Sequence, residues 1–325
     1  MNAGRITSRA ARTAIVLCVV TVWATPSVAA ARDDASTRAR SFTGRVVVAP
    51  GREVYVECRG TGSPTVVLIS GKGNGARDWH QVLDANDPIR DLANDEVLAG
   101  KGDLHDSRKA VLPTTARVTR VCTYDRPNTR TTGKARSTPR AQPHAVDDDV
   151  ADLHHVLEKI GAPEPLVLVA HSYGGFVAEL YARTYPDEVG GLVMVDAGSS
   201  YIARAVTAEK LGAWDRTNRI AAPGQESVEI ADATAKLDAA PALRPIPSVV
   251  LTADKPLRAD LQPVDADASV TFDDWLVGQG LLAKGLGAKQ VTETNSGHNI
   301  YLYSPRPVNE AIREVVDDVR NGRGH

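Results

Sequence analysis

Hydrophobic and polar positions along this chain follow two rhythms that take turns. Short apolar runs of strand character recur at Val46–Val48, Glu53–Cys58, Thr65–Ser70, Arg120–Tyr124, Pro165–Val169, Gly191–Val195, Val249–Thr252 and Lys289–Glu293. Several are apolar at consecutive positions, as in Val66-Val67-Leu68-Ile69, the pattern expected of strands buried on both faces. Between them the period changes. From His144 to Gly161, the residues Val146, Val150, Leu153, Val156, Leu157 and Ile160 recur at helical spacing. Asp147, Asp148 and Asp149 favour the positive N-terminal end of that helix, and Gly161 and Pro163 stop it. A second helix is predicted over Gly175–Tyr185 ahead of Pro186, and an amphipathic closing helix over Val308–Arg320. Strands alternating with helices predict an α/β fold with a mostly parallel sheet covered on both faces.

Two stretches break the alternation. Residues 197–246 are Ala-rich, polar and helix-prone, with Pro at 223, 241, 245 and 247, and read as a small helical cap inserted between two sheet strands. At the N-terminus, Arg5, Arg9 and Arg12 precede an apolar run from Ala14 to Ala24, and Val28-Ala29-Ala30-Ala31 follows. Charged, apolar and small-residue regions in that order predict a secretory signal peptide over residues 1–31, cleaved near Ala30 or Ala31. The apolar run has about half the ~20 residues a spanning helix needs, so no permanent membrane anchor is expected. Residues 32–43 are polar and read as a flexible leader, and residues 44–322 as the folded domain. The expected location is therefore extracellular or in the cell envelope.

Composition narrows the picture. At 42% hydrophobic and 24% charged, the 325 residues are ordinary for a folded chain. A net charge of -2 argues against nucleic acid as a partner, since nothing would systematically neutralise phosphates. Aromatic content of 5% gives no sign of a platform for polymeric substrates. Cleavage of the signal peptide would leave two cysteines, Cys58 and Cys122, each in a strand-like stretch, as a disulfide or as buried thiols. Oligomeric state is not legible.

The chemistry gathers around Ser172. The strand Leu166-Val167-Leu168-Val169 runs into Ala170-His171-Ser172-Tyr173-Gly174-Gly175 and then a helix. A serine on such a sharp strand-to-helix turn is held with its hydroxyl exposed above the sheet edge, and small residues two before and two after relieve the crowding. A serine needs a base to act as a nucleophile at neutral pH. His298, in Asn295-Ser296-Gly297-His298-Asn299 after the last strand, is the candidate. His154 and His155 read as a solvated helix face rather than metal ligands, His171 adjoins Ser172 but points to the other side of the turn, and His80, His105 and His144 have no supporting context. The acid that orients the imidazole is preferably Asp196, closing the strand Gly191–Val195, with Asp254 as the alternative. Two backbone N–H groups are needed to receive an oxyanion. Tyr173 and Lys72 are the candidates, the latter in the Gly-rich loop Ser70–Gly75, which lacks the Gly-Lys-Ser/Thr ending of a nucleotide loop. This chemistry calls for no cofactor and no metal.

On these residues the chain resembles the α/β-hydrolase superfamily over about residues 44–322, with the order Gly71 loop, Ser172, acid, His298. Cys122-Thr123-Tyr124-Asp125-Arg126-Pro127, Ala170–Gly175 and Ser296-Gly297-His298 look like those of secreted bacterial esterase-like members. The resemblance implies an eight-stranded sheet and hydrolysis of a small carboxylic ester through an acyl-enzyme. An aminopeptidase-type amide hydrolase and a non-catalytic binding module are the alternatives. It also implies that the strands carrying Cys58 and Cys122 are neighbours, and so a disulfide. The chain departs from the family pattern in three places. Ala170 replaces the usual first glycine, Pro127-Asn128-Thr129 stands where the family more often has glycine, and the common Gly-x-x-Asp spacing is missing after Leu251.

Overall fold

Eight strands form one sheet: β1 (Phe42–Ala49), β2 (Arg52–Arg59), β3 (Thr65–Ile69), β4 (Val121–Tyr124), β5 (Leu166–His171), β6 (Val189–Val195), β7 (Ser248–Leu251) and β8 (Lys289–Val291). Their spatial order is β1-β2-β4-β3-β5-β6-β7-β8. Only β2 runs antiparallel to its neighbours; the remaining pairings, from β4 to β8, are parallel. The structure is a computed structural model that describes residue 1 and residues 41–83, 104–129, 135–221, 224–256 and 269–323. Thr37–His325 group as one unit and Met1–Ser36 as another; the fold is that of the former. The expected signal peptide and nearly all of the expected leader lie outside the described residues, and β1 begins at Phe42, inside the leader's expected end.

The consecutive apolar residues of the strands serve two cores. Val67 and Ile69 of β3, Leu166, Leu168 and Ala170 of β5 and Leu192 and Met194 of β6 face one side. Val66 and Leu68, Val167 and Val169, and Val193 and Val195 face the other. Side chains alternate across a strand, so a strand covered on both faces has to be apolar at every position. The first core is closed by α2 (Val146–Lys159) and α3 (Gly174–Thr184), the second by the short α1 (Val111–Thr115) and by the closing helix.

Between β6 and β7 the chain forms α4 (Ser200–Ala205), α5 (Ala208–Arg219) and α6 (Ile230–Ala239). A further helix, α7 (Phe272–Leu286), lies between β7 and β8, where the sequence pattern suggests only a connection. Its glycines hide it, because glycine weakens a helix and blurs its apolar face. Gly278 is required for packing: a Cβ there would lie 2.5 Å from Ile202 Cγ1 of α4. After β8 come α8 (Ile300–Tyr303) and α9 (Pro305–Arg320). The buried stripe of α9, Val308, Ala311, Ile312, Val315 and Val316, follows the helical period, with each of the larger aliphatics contributing about 1.5–3 kcal/mol. No helix among the described residues is long and apolar enough to cross a membrane.

Cys58 of β2 and Cys122 of β4 stand directly opposite in the antiparallel register and form a disulfide.

Candidate functional site

β5 ends at His171, and Ser172 follows with φ +52°, a left-handed angle that is rare outside glycine. Its carbonyl accepts the amides of Gly175 and Gly198, at 2.9 and 2.8 Å, which locks the turn. The next residues have no room for side chains. A Cβ on Gly174 would lie 2.6 Å from the Ile69 carbonyl, and one on Gly175 2.3 Å from the Gly198 carbonyl. Ser172 is partly exposed and Tyr173 buried.

The loop after β8 reaches the same edge of the sheet. His171, expected to be a bystander, joins the two: its Nε2 donates to the His298 carbonyl at 2.9 Å, and the two rings lie 4.7 Å apart. Burial, reinforced by the nearby His298, holds the His171 imidazole well below its usual range, so it stays neutral. The His298 Nδ1 lies 2.6 Å from Asp196 Oδ2. The other oxygen, Asp196 Oδ1, accepts Ala253 N at 2.9 Å and the indole Nε1 of Trp275 at 3.0 Å. Asp196 also has a positive φ, +42°, and is 1% exposed. Asp254 is turned elsewhere: its oxygens accept the amides of Asn295 and Ser296, both at 2.9 Å, and so brace the loop that carries His298.

The Gly-rich loop is held from beneath. Asp78 Oδ2 accepts Asn74 Nδ2 at 2.8 Å and Gly75 N at 3.1 Å, and Ser70 Oγ accepts the Trp79 indole at 2.8 Å. Burial outweighs these bonds and raises the Asp78 carboxyl to about 6. Arg126 donates to the carbonyls of Ser70 and Gly71, both at 2.7 Å. The Lys72 ammonium extends outward to the Ile220 carbonyl at 3.0 Å.

The sequence model described as "Alpha/beta hydrolase family" matches residues 66–311, more than half of the chain. The chain belongs to the alpha/beta hydrolase family. Among solved structures, this hydrolase is similar to a thermophilic esterase from Thermogutta terrifontis, at 19% identity and a TM-score of 0.51, covering 86% of this chain and 99% of that one. It is also similar to Est1E from Butyrivibrio proteoclasticus, solved with ferulic acid, at 13% identity and a TM-score of 0.52, covering 84% and 99%. At such identities the likeness is one of fold. An uncharacterized protein of Schizosaccharomyces pombe is 30% identical over 152 residues, 45% of this chain; the match spans only about a quarter (26%) of that protein's length.

Several residues around the candidate site carry no role in the sequence reading. Trp275 sits edge-on to His298 with ring centroids 5.6 Å apart, and Trp214 lies 5.9 Å from Trp275. Low overall aromatic content conceals this clustering, although the capping box Thr271–Asp274 directly before Trp275 is a readable helix start. Beneath Tyr173, its hydroxyl donates to Asp149 Oδ2 at 2.9 Å, and Asp149 Oδ1 lies 2.8 Å from His144 Nε2. His144, Asp149 and Glu226 are buried, with ligating atoms within 4.8 Å of one another, a grouping that could receive a metal ion. The cation they face is instead Arg126, whose Nε is 2.7 Å from Glu226 and 3.9 Å from Asp149. For His144, burial acts to lower the imidazole but the Asp149 carboxylate outweighs it, leaving it raised. Two carboxylates opposite a guanidinium and a readily protonated imidazole form a charge-balanced cluster with no need of a metal. The helix histidines take protein partners: His154 pairs with Glu188 at 3.1 Å, and His155 with the Ala151 carbonyl at 2.7 Å.

Proposed function

We propose that this alpha/beta hydrolase is a secreted serine esterase acting on small carboxylic esters, with Ser172 as nucleophile, His298 as general base and Asp196 as the orienting acid. The observation that carries this reading is the 2.6 Å contact from His298 Nδ1 to Asp196 Oδ2. It supports the reading because a carboxylate accepts an Nδ1–H, which in a neutral ring leaves the Nε2 lone pair to take a proton, on a loop tied to the residue preceding Ser172.

In this scheme Ser172 Oγ attacks the ester carbonyl carbon while its proton passes to His298 Nε2. The carbonyl oxygen becomes an oxyanion received by the backbone N–H groups of Lys72 and Tyr173. Tyr173 stands at the N-terminus of α3, where first-turn amides have no helical acceptor. As the tetrahedral centre collapses, the C–O bond to the alcohol breaks and the departing oxygen takes the proton from His298. Water then attacks the acyl-serine, giving its proton to His298, and the acid leaves as the Ser172 hydroxyl is restored. Helices α4 to α6, between β6 and β7, are the proposed cap.

Incubation with a fluorophosphonate followed by peptide mapping tests the assignment. Label on Ser172, with Ser172→Ala losing ester hydrolysis by about 10³-fold or more, is expected; full activity in Ser172→Ala ends the proposal. Chromogenic esters compared with aminoacyl anilides separate ester from amide hydrolysis. Secretion is supported by the Arg-flanked apolar leader and by a disulfide suited to an oxidising compartment. N-terminal sequencing of the protein recovered outside the producing cell should begin after Ala30 or Ala31, and retention of Met1 would rule out cleavage.

A further inference from the structure

We propose that Arg126, locked in place by Glu226, is a positioning residue for the oxyanion-binding peptide, which makes residues 224–229, ahead of α6, part of the catalytic apparatus. This rests on the esterase reading above and names what holds its oxyanion hole in shape.

Arg126 lies two residues beyond the end of β4 and is 2% exposed. Its guanidinium donates to four oxygens: the Ser70 and Gly71 carbonyls, both at 2.7 Å, and the two Glu226 oxygens at 2.7 and 3.1 Å. Glu226, 2% exposed, also accepts the amide of Gly73 at 2.5 Å. One buried ion pair therefore grips the Gly-rich loop at three residues, on both sides of Lys72.

The consequence for Lys72 follows from peptide geometry. In a planar trans peptide the C=O of one residue and the N–H of the next point in opposite directions. With the Gly71 carbonyl drawn onto Arg126, the Lys72 N–H is turned to the other side of the loop. Any rotation of that peptide would have to break the Arg126 bond first. The same cation is tied to the second donor: it lies 5.2 Å over the Tyr173 ring, whose hydroxyl donates to Asp149, itself 3.9 Å from Arg126. Both proposed oxyanion donors thus take their position from one guanidinium. Lysine could supply the charge but not a planar fork that satisfies two carbonyls and a carboxylate together.

A purely structural pair that only pins the 224–229 segment to the core would affect stability alone. A positioning pair affects the transition state. The test compares Arg126→Lys and Glu226→Gln with the wild-type chain on a chromogenic ester and on its thionoester, in which sulfur replaces the carbonyl oxygen. A hole shaped for oxygen discriminates against sulfur, so the ester/thionoester ratio of kcat/KM reports the shape of the hole and not the amount of folded protein. Both variants are expected to lose about 10- to 100-fold in kcat with KM within about twofold, and the ratio to fall about tenfold. Should Arg126→Lys fail to fold, Glu226→Gln carries the test, since glutamine keeps an acceptor for the Gly73 amide. Wild-type kcat and ratio in a folded variant, even with a lowered Tm, overturn the proposal. A wild-type chain that neither hydrolyses esters nor labels at Ser172 defeats the esterase reading itself, and the role of Arg126 falls with it. An active, labelled wild type leaves only the clamp at stake.

Discussion

Two aspartates, Asp196 and Asp254, follow neighbouring strands of the sheet and differ in what their oxygens meet. Asp196 faces His298 with one oxygen and accepts Ala253 N and Trp275 Nε1 with the other. Asp254 spends both oxygens on backbone amides. If Asp196 orients the base, Asp196→Asn should lower kcat by about 10⁴ with an unchanged Tm, because an amide presents the wrong partner to the imidazole. Asp254→Asn should leave activity within about tenfold and cost on the order of 1 kcal/mol, read from urea denaturation, since an amide oxygen can accept only part of what the carboxylate accepts. Equal losses of activity in the two variants would undo the assignment. A further residue-scale effect is electrostatic. Burial holds the Asp78 carboxyl at about 6, above its ordinary 3.8, so between these values the folded chain keeps a proton that the unfolded chain has released. Raising the pH through that window therefore destabilises the fold, by roughly 3 kcal/mol once both states are ionised. Asp78→Asn keeps an oxygen for Asn74 and Gly75, so it should be more stable than wild type at pH 8 and close to it near pH 4. A wild-type stability profile that does not decline relative to the variant between those values would contradict this.

At the scale of elements, the turn between β5 and α3 is set by close approach of backbones. Gly175→Ala would push a methyl against the Gly198 carbonyl, 2.3 Å away, and Ala197 Cβ, 2.7 Å away. Neither neighbour is a flexible side-chain end, so the expected cost is about 2 kcal/mol, seen as a drop in Tm together with lost activity as Ser172 is displaced. An unperturbed Tm would mean that the turn has more room than these contacts allow. This element was legible in the sequence because strand, small residue, serine and glycine lie within a few positions of one another. The helix α7 was not, because two of its glycines, Gly278 and Gly285, answer to Ile202 of α4 and to the ring of Tyr201, a reason that exists only once the two helices touch. Trp275 was hidden along with it. The cap region fared between these: its helical character could be read from composition, whereas Glu226 could not be distinguished from any other loop acid until its carboxylate met Arg126.

For the molecule as a whole, the disulfide joins strands whose cysteines are 64 residues apart in sequence. Closing a loop of that length restricts the unfolded chain by about 4 kcal/mol in the chain-entropy description, so the Cys58→Ala/Cys122→Ala variant should unfold at lower urea concentration by an equivalent amount. Reductant should bring the wild type down to the variant and leave the variant unmoved; a variant as stable as the oxidised wild type would show that the bond constrains nothing. The larger pattern divides by range. Local repetition is carried by the chain itself: the runs of Val, Leu and Ile that must be strands buried twice over, the three aspartates that open α2, and the serine turn with its glycines are all written within a few residues. They determined the architecture, the position of Ser172 and the neighbourhood of His298. The tertiary structure alone decided which aspartate meets His298, gave His171 its carbonyl partner, and brought Arg126, Asp149, His144 and Glu226 into one buried cluster under the Gly-rich loop. The deciding contacts join residues a hundred or more positions apart: Arg126 and Glu226, Asp196 and His298, His171 and His298. No periodicity along a chain encodes such a pairing, because it is fixed by where the sheet sets down each loop and not by what stands next to it in sequence.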